Sequence, residues 1–245
     1  MNPFVSTALS SLAQYILPER CALCGISQIP PIPDTIPVCS TCRINIERQT
    51  IIPFDENRVC QICGTPLISE RYTCLRCREE NYPFSKHRAA FQYKYEIKQL
   101  IHKYKFKGYR NIAMLFAYYL SRVYYKHFPY TVLVPVPASP NSKKIRGWDQ
   151  MEIVIKTMQK KYHIPVASLL KRKKGKQQKD LHKDERKLNL KNSISVSLSK
   201  EKKTIPQHVV IVDDIFTTGT TASMCCEALF SKNIGVNGVI SIAVD

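Results

Sequence analysis

Residues 208–221 read His-Val-Val-Ile-Val-Asp-Asp-Ile-Phe-Thr-Thr-Gly-Thr-Thr, an apolar strand that ends in two carboxylates and a hydroxyl-rich turn carrying one glycine. Val209, Val210, Ile211 and Val212 are apolar without alternation. That is the pattern of a strand covered on both faces, hence of a parallel sheet flanked by helices. Residues 222–230 read as the helix that follows, which places the turn at the carboxyl end of a strand. Ligands of open α/β sheets bind in that crevice, and the amides opening the next helix offer donors and a positive dipole end to a phosphate. Asp213 and Asp214 can accept hydrogen bonds from two vicinal ribose hydroxyls. Gly219 lets the backbone approach closely, and Thr217, Thr218, Thr220 and Thr221 add donors. The pattern is neither the G-x-x-x-x-G-K-S/T phosphate loop nor the G-x-G-x-x-G dinucleotide fingerprint. An ordinary Thr-capped helix would explain one hydroxyl at the N-cap, but not two adjacent acids with four threonines.

Ten cysteines occur, and eight of them form four C-x-x-C pairs: Cys21/Cys24, Cys39/Cys42, Cys60/Cys63 and Cys74/Cys77. Two such pairs complete a closed tetrahedral site of four thiolates, which with Zn²⁺ is structural. Two sites fit the count, with the pairing of the knuckles left open. Cys24-Gly25 and Cys63-Gly64 repeat a glycine after the first knuckle of each set, so residues 20–42 and 59–77 read as an internal repeat of short hairpin ribbons. A disulfide framework fits poorly with a chain of 245 residues that opens without a basic signal-peptide region. Cys225 and Cys226 lack partner knuckles and read as buried apolar side chains. Prolines at 30, 31, 33 and 37 mark an excursion within the first ribbon, and Pro83 closes the module. The expected organisation is residues 1–84, an N-terminal amphipathic helix (2–17) and a double zinc ribbon, followed by an α/β domain over 85–245.

Within the second domain a first strand is expected over 89–95, then helical periodicity over 96–127 interrupted near Gly108. Its apolar face is Ile97, Leu100, Ile101, Tyr104, Ile112, Leu115, Phe116 and Tyr119. Lys103, Lys105 and Lys107 gather around that break with Tyr104, Phe106 and Tyr109, a mixture that can stack bases and neutralise phosphates as well as form a solvated helix face. A second apolar strand, 131–134, runs into Pro135-Val136-Pro137-Ala138, a rigid end able to present backbone amides to an anion. Arg146 carries a planar fork suited to phosphate oxygens, and a helix extends to about Tyr162. Residues 171–187 hold nine basic side chains, Lys173, Lys174 and Lys176 among them, with little apolar content. They are expected to form a mobile arm that binds a polyanion or covers the site.

In order, the four knuckle pairs, Lys105-Phe106-Lys107-Gly108, Val134-Pro135-Val136-Pro137, Arg146-Gly147-Trp148-Asp149-Gln150, the spaced set Gln178, Leu181, Glu185, Arg186 and Asn189, and residues 213–221 resemble the ComF/GntX family over nearly the whole chain. The last motif resembles the phosphoribosyl pyrophosphate (PRPP) loop of type I phosphoribosyltransferases. The resemblance implies that fold behind a double zinc ribbon. It implies Asp213 and Asp214 at the ribose as the catalytic acids, residues 217–221 at the 5-phosphate, and Val136, Pro137, Ala138 and Arg146 at pyrophosphate. Mg²⁺ would be carried by PRPP, and the basic arm would form a hood. Where the family has R-x-R-G-F-N-Q, this chain has Lys144, Trp148 and Asp149. The acid at 149 weighs against a role in holding an anion.

The family is associated with DNA uptake in natural transformation, which implies handling of incoming single-stranded DNA in the cytoplasm beside helicase-like and recombination partners. A formal net charge of +18 agrees with a polyanionic partner without naming one. No run approaches the roughly 18 apolar residues of a spanning helix. The expected location is cytoplasmic, with peripheral attachment at the inner face of the membrane left open. Two other readings compete: an active phosphoribosyltransferase moving ribose 5-phosphate from PRPP to a nitrogen acceptor, and a non-catalytic zinc-ribbon adaptor. The six histidines show no metal spacing and receive no role.

Overall fold

The computed structural model describes residues 20–27, 36–51, 56–172, 193–197 and 205–245. The expected N-terminal helix, the proline run at 30–33, and the basic arm beyond Arg172 with Lys173, Lys174 and Lys176 all lie outside these residues.

Helices α1 (Ser40–Glu47) and α2 (Leu75–Glu79) belong to the two cysteine units. The α/β part then runs β1 (His87–Gln92), α3 (Tyr95–Phe106), α4 (Ile112–His127), β2 (Val132–Pro135), α5 (Pro140–Arg146), α6 (Gln150–Tyr162), β3 (Leu170–Arg172), β4 (Ile194–Val196), β5 (His208–Phe216), α7 (Thr220–Phe230) and β6 (Gly235–Val244). The main sheet has the order β1-β6-β5-β2 with every pairing parallel, and β3 and β4 form a separate antiparallel pair. This is the parallel sheet flanked by helices that residues 209–212 predict.

The central strands are buried on both faces because their neighbours divide by parity. Val210 and Val212 pack with Leu133, Ile240 and Ile242 against α3, α4 and α6. Val209 and Ile211 pack with Ala89, Val134 and Val239 against α7 and the β3–β4 pair. The interruption near Gly108 is real: α3 ends at Phe106, Gly108 takes φ +73°, and α4 begins at Ile112. All eight residues of the expected apolar face are buried.

One cysteine unit packs on each face of the sheet. Cys21, Ala22, Val38 and Ile46 join the α3/α4/α6 cluster, whereas Ile51, Val59, Cys60, Cys63 and Cys77 join the α7 cluster. Asp149 has an ordinary structural role. Its carboxylate caps α6, accepting from the amides of Met151 at 3.1 Å and Glu152 at 3.4 Å, the arrangement that stabilises a helix start by satisfying its orphan donors.

Candidate functional site

The acidic pair lies inside β5 rather than after it. Asp213 is in register with Ser241 and the ladder continues to Phe216, because Val244 and the neighbouring residues of β6 still offer pairing partners. Successive side chains of a strand leave on opposite faces, and the two carboxyls do so. Asp214 forms an ion pair with Lys105 of α3. Asp213 lies on the α7 side, where it faces Cys225 and Arg172. The sequence placed both acids at one ribose, but the strand separates their surroundings. Each carboxylate also accepts from the next amide, Asp214 N–H at 2.8 Å and Ile215 N–H at 2.6 Å.

Burial, with the charge of Asp214 second, pushes the Asp213 carboxyl up to about 7. An unfolded aspartate titrates near 3.9, so the native state retains a proton that the unfolded chain releases, and stability falls as pH rises from about 4 to about 7. Asp213→Asn, isosteric with the protonated acid, is expected to remove that slope, matching wild type near pH 4 and exceeding it at pH 8. Urea midpoints across this range test the assignment, and parallel curves for the two proteins would refute it.

Beyond Phe216 the chain turns through Thr217 and Thr218 to Gly219, which takes φ +76° as the residue before α7. The hydroxyls of Thr218 and Thr220 are 2.8 Å apart. Thr217, Thr218 and Thr220 line the turn with Thr221, which is half-buried. The opening amides of α7 have no intrahelical acceptors, so donors and hydroxyls converge at the strand's carboxyl end. Tyr82, from the segment after α2, closes one side of this loop. Its hydroxyl donates to the Thr218 carbonyl at 3.2 Å.

At the end of β2, Val136 is not available as an anion donor, because its amide donates to the Val212 carbonyl at 2.9 Å and so extends the ladder. Pro137 has no N–H, which leaves the Ala138 amide. Arg146 lies over the Phe106 ring with 5.2 Å to the centroid and donates to Gln150 Oε1 at 2.8 Å. Part of its fork is thereby fixed in orientation. Gln150 is buried, and its backbone carbonyl accepts from the Tyr104 hydroxyl at 2.7 Å.

The eight knuckle cysteines form two sets, Cys21/Cys24/Cys39/Cys42 and Cys60/Cys63/Cys74/Cys77, with all sulfurs of a set within 4.8 Å of one another. The knuckles are not crossed. Tetrahedral Zn–S bonds of about 2.3 Å put sulfurs about 3.8 Å apart, and Cys24 to Cys39 is 3.8 Å while Cys63 to Cys74 is 3.6 Å. The donor sets could each hold one metal ion. The first knuckles repeat closely: Gly25 donates to the Cys21 carbonyl and Gly64 to the Cys60 carbonyl, both at 2.9 Å and both glycines at positive φ. The second pair of each set departs from a hairpin ribbon. Cys39 and Cys74 precede α1 and α2, so Cys42 and Cys77 ride on a helical first turn. Burial acts to raise Cys21, but the amides of Cys39, Cys24 and Leu23 outweigh it and bring the thiol down to about 6. Burial and the neighbouring sulfurs push Cys42 well up.

The lysines near the break have distinct duties. Lys103 donates to the carbonyls of Ala22 at 2.7 Å and Leu23 at 3.0 Å, anchoring α3 on the first knuckle. Lys105 holds Asp214, and Lys107 is exposed. Around them Arg110 lies over the Trp148 ring at 5.3 Å, and Phe106 and Tyr109 are exposed. Tyr82 and His87 carried no sequence signal. His87 is buried, with Nδ1 2.6 Å from the Cys63 carbonyl and Nε2 2.8 Å from Ser241 Oγ, and desolvation lowers its pKa to about 3.

No protein-family model matches the chain. The competence protein ComFC of Bacillus subtilis is 25% identical over 203 residues, covering 80% of this chain and 78% of that one. The DNA utilization protein YhgH of Escherichia coli K12 is 25% identical over 231 residues, covering 91% and 94%. Among solved structures, a hypoxanthine phosphoribosyltransferase from Staphylococcus aureus aligns with a TM-score of 0.29 and 17% identity over 54% of this chain and 59% of that one.

Proposed function

Because this chain belongs to the ComF family, we propose that it handles incoming single-stranded DNA during natural transformation and couples that task to a PRPP or ribose-phosphate site on the strand–turn–helix of residues 213–221. Lys105 carries the reading. It pairs with Asp214 and is next in sequence to the cation–aromatic ledge of Phe106, Lys107, Tyr109, Arg110, Arg146 and Trp148, so that in this reading a ligand on one surface is sensed at the other. Ledges of this composition stack bases and neutralise phosphates without sequence preference. The relatives named for competence and DNA utilization support the same reading.

In this reading the loop amides and threonine hydroxyls take the 5-phosphate. Asp214 exchanges its lysine for a ribose hydroxyl. Mg²⁺ would be held mainly by the pyrophosphate and would need few protein ligands. The eight cysteines hold two Zn²⁺ ions, whose chemistry is structural. The protein works in the cytoplasm. Among the described residues no helix is long and apolar enough to cross a membrane.

Anisotropy of a labelled single-stranded oligonucleotide across a salt series, with and without magnesium PRPP, tests the coupling. Binding is expected to fall with salt at about −0.7 per neutralised phosphate, and Lys107→Ala with Arg110→Ala should flatten the slope by about 1.4. PRPP should alter the affinity in wild type and not in Asp213→Asn/Asp214→Asn. Absence of binding at modest salt would remove the DNA role.

An active phosphoribosyltransferase is the second reading. What favours it is a cavity of about 340 Å³ between the end of β2 and α6, lined in part by Pro137, Glu152, Gln159 and Ser168. Its size suits a nitrogen heterocycle. Pyrophosphate release with a panel of bases separates this reading from the first.

A further inference from the structure

The second cysteine set and the candidate phosphate loop are joined by two short chains of contact. In the first, Tyr82 lies a few residues beyond Cys77. Its hydroxyl holds the Thr218 carbonyl and its ring stands 2.5 Å from where a Cβ on Gly219 would be. Tyr82 is stacked on Phe84 at 5.0 Å, and Phe84 meets Phe216 edge-on at 5.9 Å. In the second, the Cys63 carbonyl receives the Nδ1–H of His87. The imidazole stacks on Phe216 at 4.0 Å with an interplanar angle of 16°. Phe216 is the last residue of β5 and the hinge from which the loop departs. The second chain begins at Cys63 and the first on the segment that leaves Cys77, and both end on residues 216–219.

We propose that Tyr82 and His87 are positioning residues that make the conformation of the loop at 216–219 depend on metal occupancy of the Cys60/Cys63/Cys74/Cys77 set. Its consequence for ligand affinity rests on the phosphoribosyl reading above, but the conformational coupling does not. With a cation held by the four sulfurs, the Cys63 carbonyl and the α2 exit would be fixed, and His87 and Tyr82 would stand where Phe216 and Thr218 need them. With the cation gone, α2 has only five residues and little of its own to hold it, and Tyr82 loses its footing. The first set packs on the opposite face, away from Tyr82 and His87.

Hydrogen–deuterium exchange of the zinc-loaded protein, without PRPP, tests the coupling. The readout is residues 217–222, with residues 150–162 of α6 as internal reference. Tyr82→Ala and Cys74→Ser are expected to speed exchange of the loop about tenfold, and Tyr82→Phe, which keeps the ring and loses the bond to Thr218, about threefold, with α6 unchanged. Cys74→Ser should also lower bound zinc by one ion per chain. If Cys74→Ser unfolds the chain, Tyr82→Ala decides the matter. Magnesium PRPP affinity should fall in the same order. Wild-type exchange at 217–222 in Tyr82→Ala and Tyr82→Phe would overturn the coupling while leaving the phosphoribosyl reading intact. Absence of PRPP binding in wild type would end that reading while the exchange data still decide the coupling.

Discussion

Stripping both cysteine sets of metal is expected to lower the melting temperature of the whole chain by about 10–20 °C in one cooperative transition, and added zinc is expected to restore it. Structural zinc in isolated finger peptides contributes roughly 10–16 kcal/mol of apparent binding free energy. A net loss of about 5 kcal/mol here, at about 2–4 °C per kcal/mol for a chain of this size, gives the range. The transition should be shared because the sets are embedded in the two cores. Cys21 is 2% exposed beside Ala22 and Ile46 in the α3/α4 cluster, and Cys60 and Cys63 are 0% exposed in the α7 cluster. The compositional break at residue 84 would then mark a change in sequence character rather than a boundary of cooperative folding. Calorimetry with and without chelator checks this. Two resolved transitions, with only the smaller one sensitive to chelator, would show an independent N-terminal unit instead.

Local pattern was enough for the central strand, the helix that follows its turn and the two helices on either side of Gly108. Uninterrupted apolar character at 209–212 required a strand covered twice. The break near Gly108 was marked by the glycine itself, and the cysteine count required two sets of four, while which knuckles pair is visible only in the structure. What local pattern could not supply was the direction in which a side chain points once strands pair. Asp213 and Asp214 are adjacent letters with the same chemistry, yet one meets Lys105 and the other faces Arg172 and Cys225. Val136 belongs to a motif that suggests free amides, but β5 extends far enough to take its N–H. Lys103 sits in a basic run and is held by carbonyls 81 and 80 residues away. Tyr82 and Thr218 are 136 positions apart. Such contacts exist only because the sheet order brings β1 beside β6 and β6 beside β5, an arrangement with no periodic signature in the chain.

Gly219→Val is expected to weaken PRPP binding at least about 100-fold, more than any single change at the threonines. The position is in the left-handed region, where an L side chain costs about 1–2 kcal/mol. A Cβ there would lie 2.5 Å from Tyr82 Cε1 and 2.9 Å from Phe216 Cζ, both rings held in place by their neighbours. Overpacking of this kind costs a further 1–3 kcal/mol or so. The chain can relieve it only by moving the loop, and about 2.7 kcal/mol expressed in that movement is a factor of about 100 in affinity. Gly219→Ala should fall between wild type and valine. Because Tyr82 supplies the closest contact, Gly219→Ala should cost less in a Tyr82→Ala background than in wild type, a non-additivity that a double-mutant cycle by calorimetry resolves. Wild-type affinity in Gly219→Val would mean that the phosphate does not bind at this turn. Strict additivity with Tyr82→Ala would mean that the ring is not what excludes the side chain, and that the backbone angle alone demands glycine.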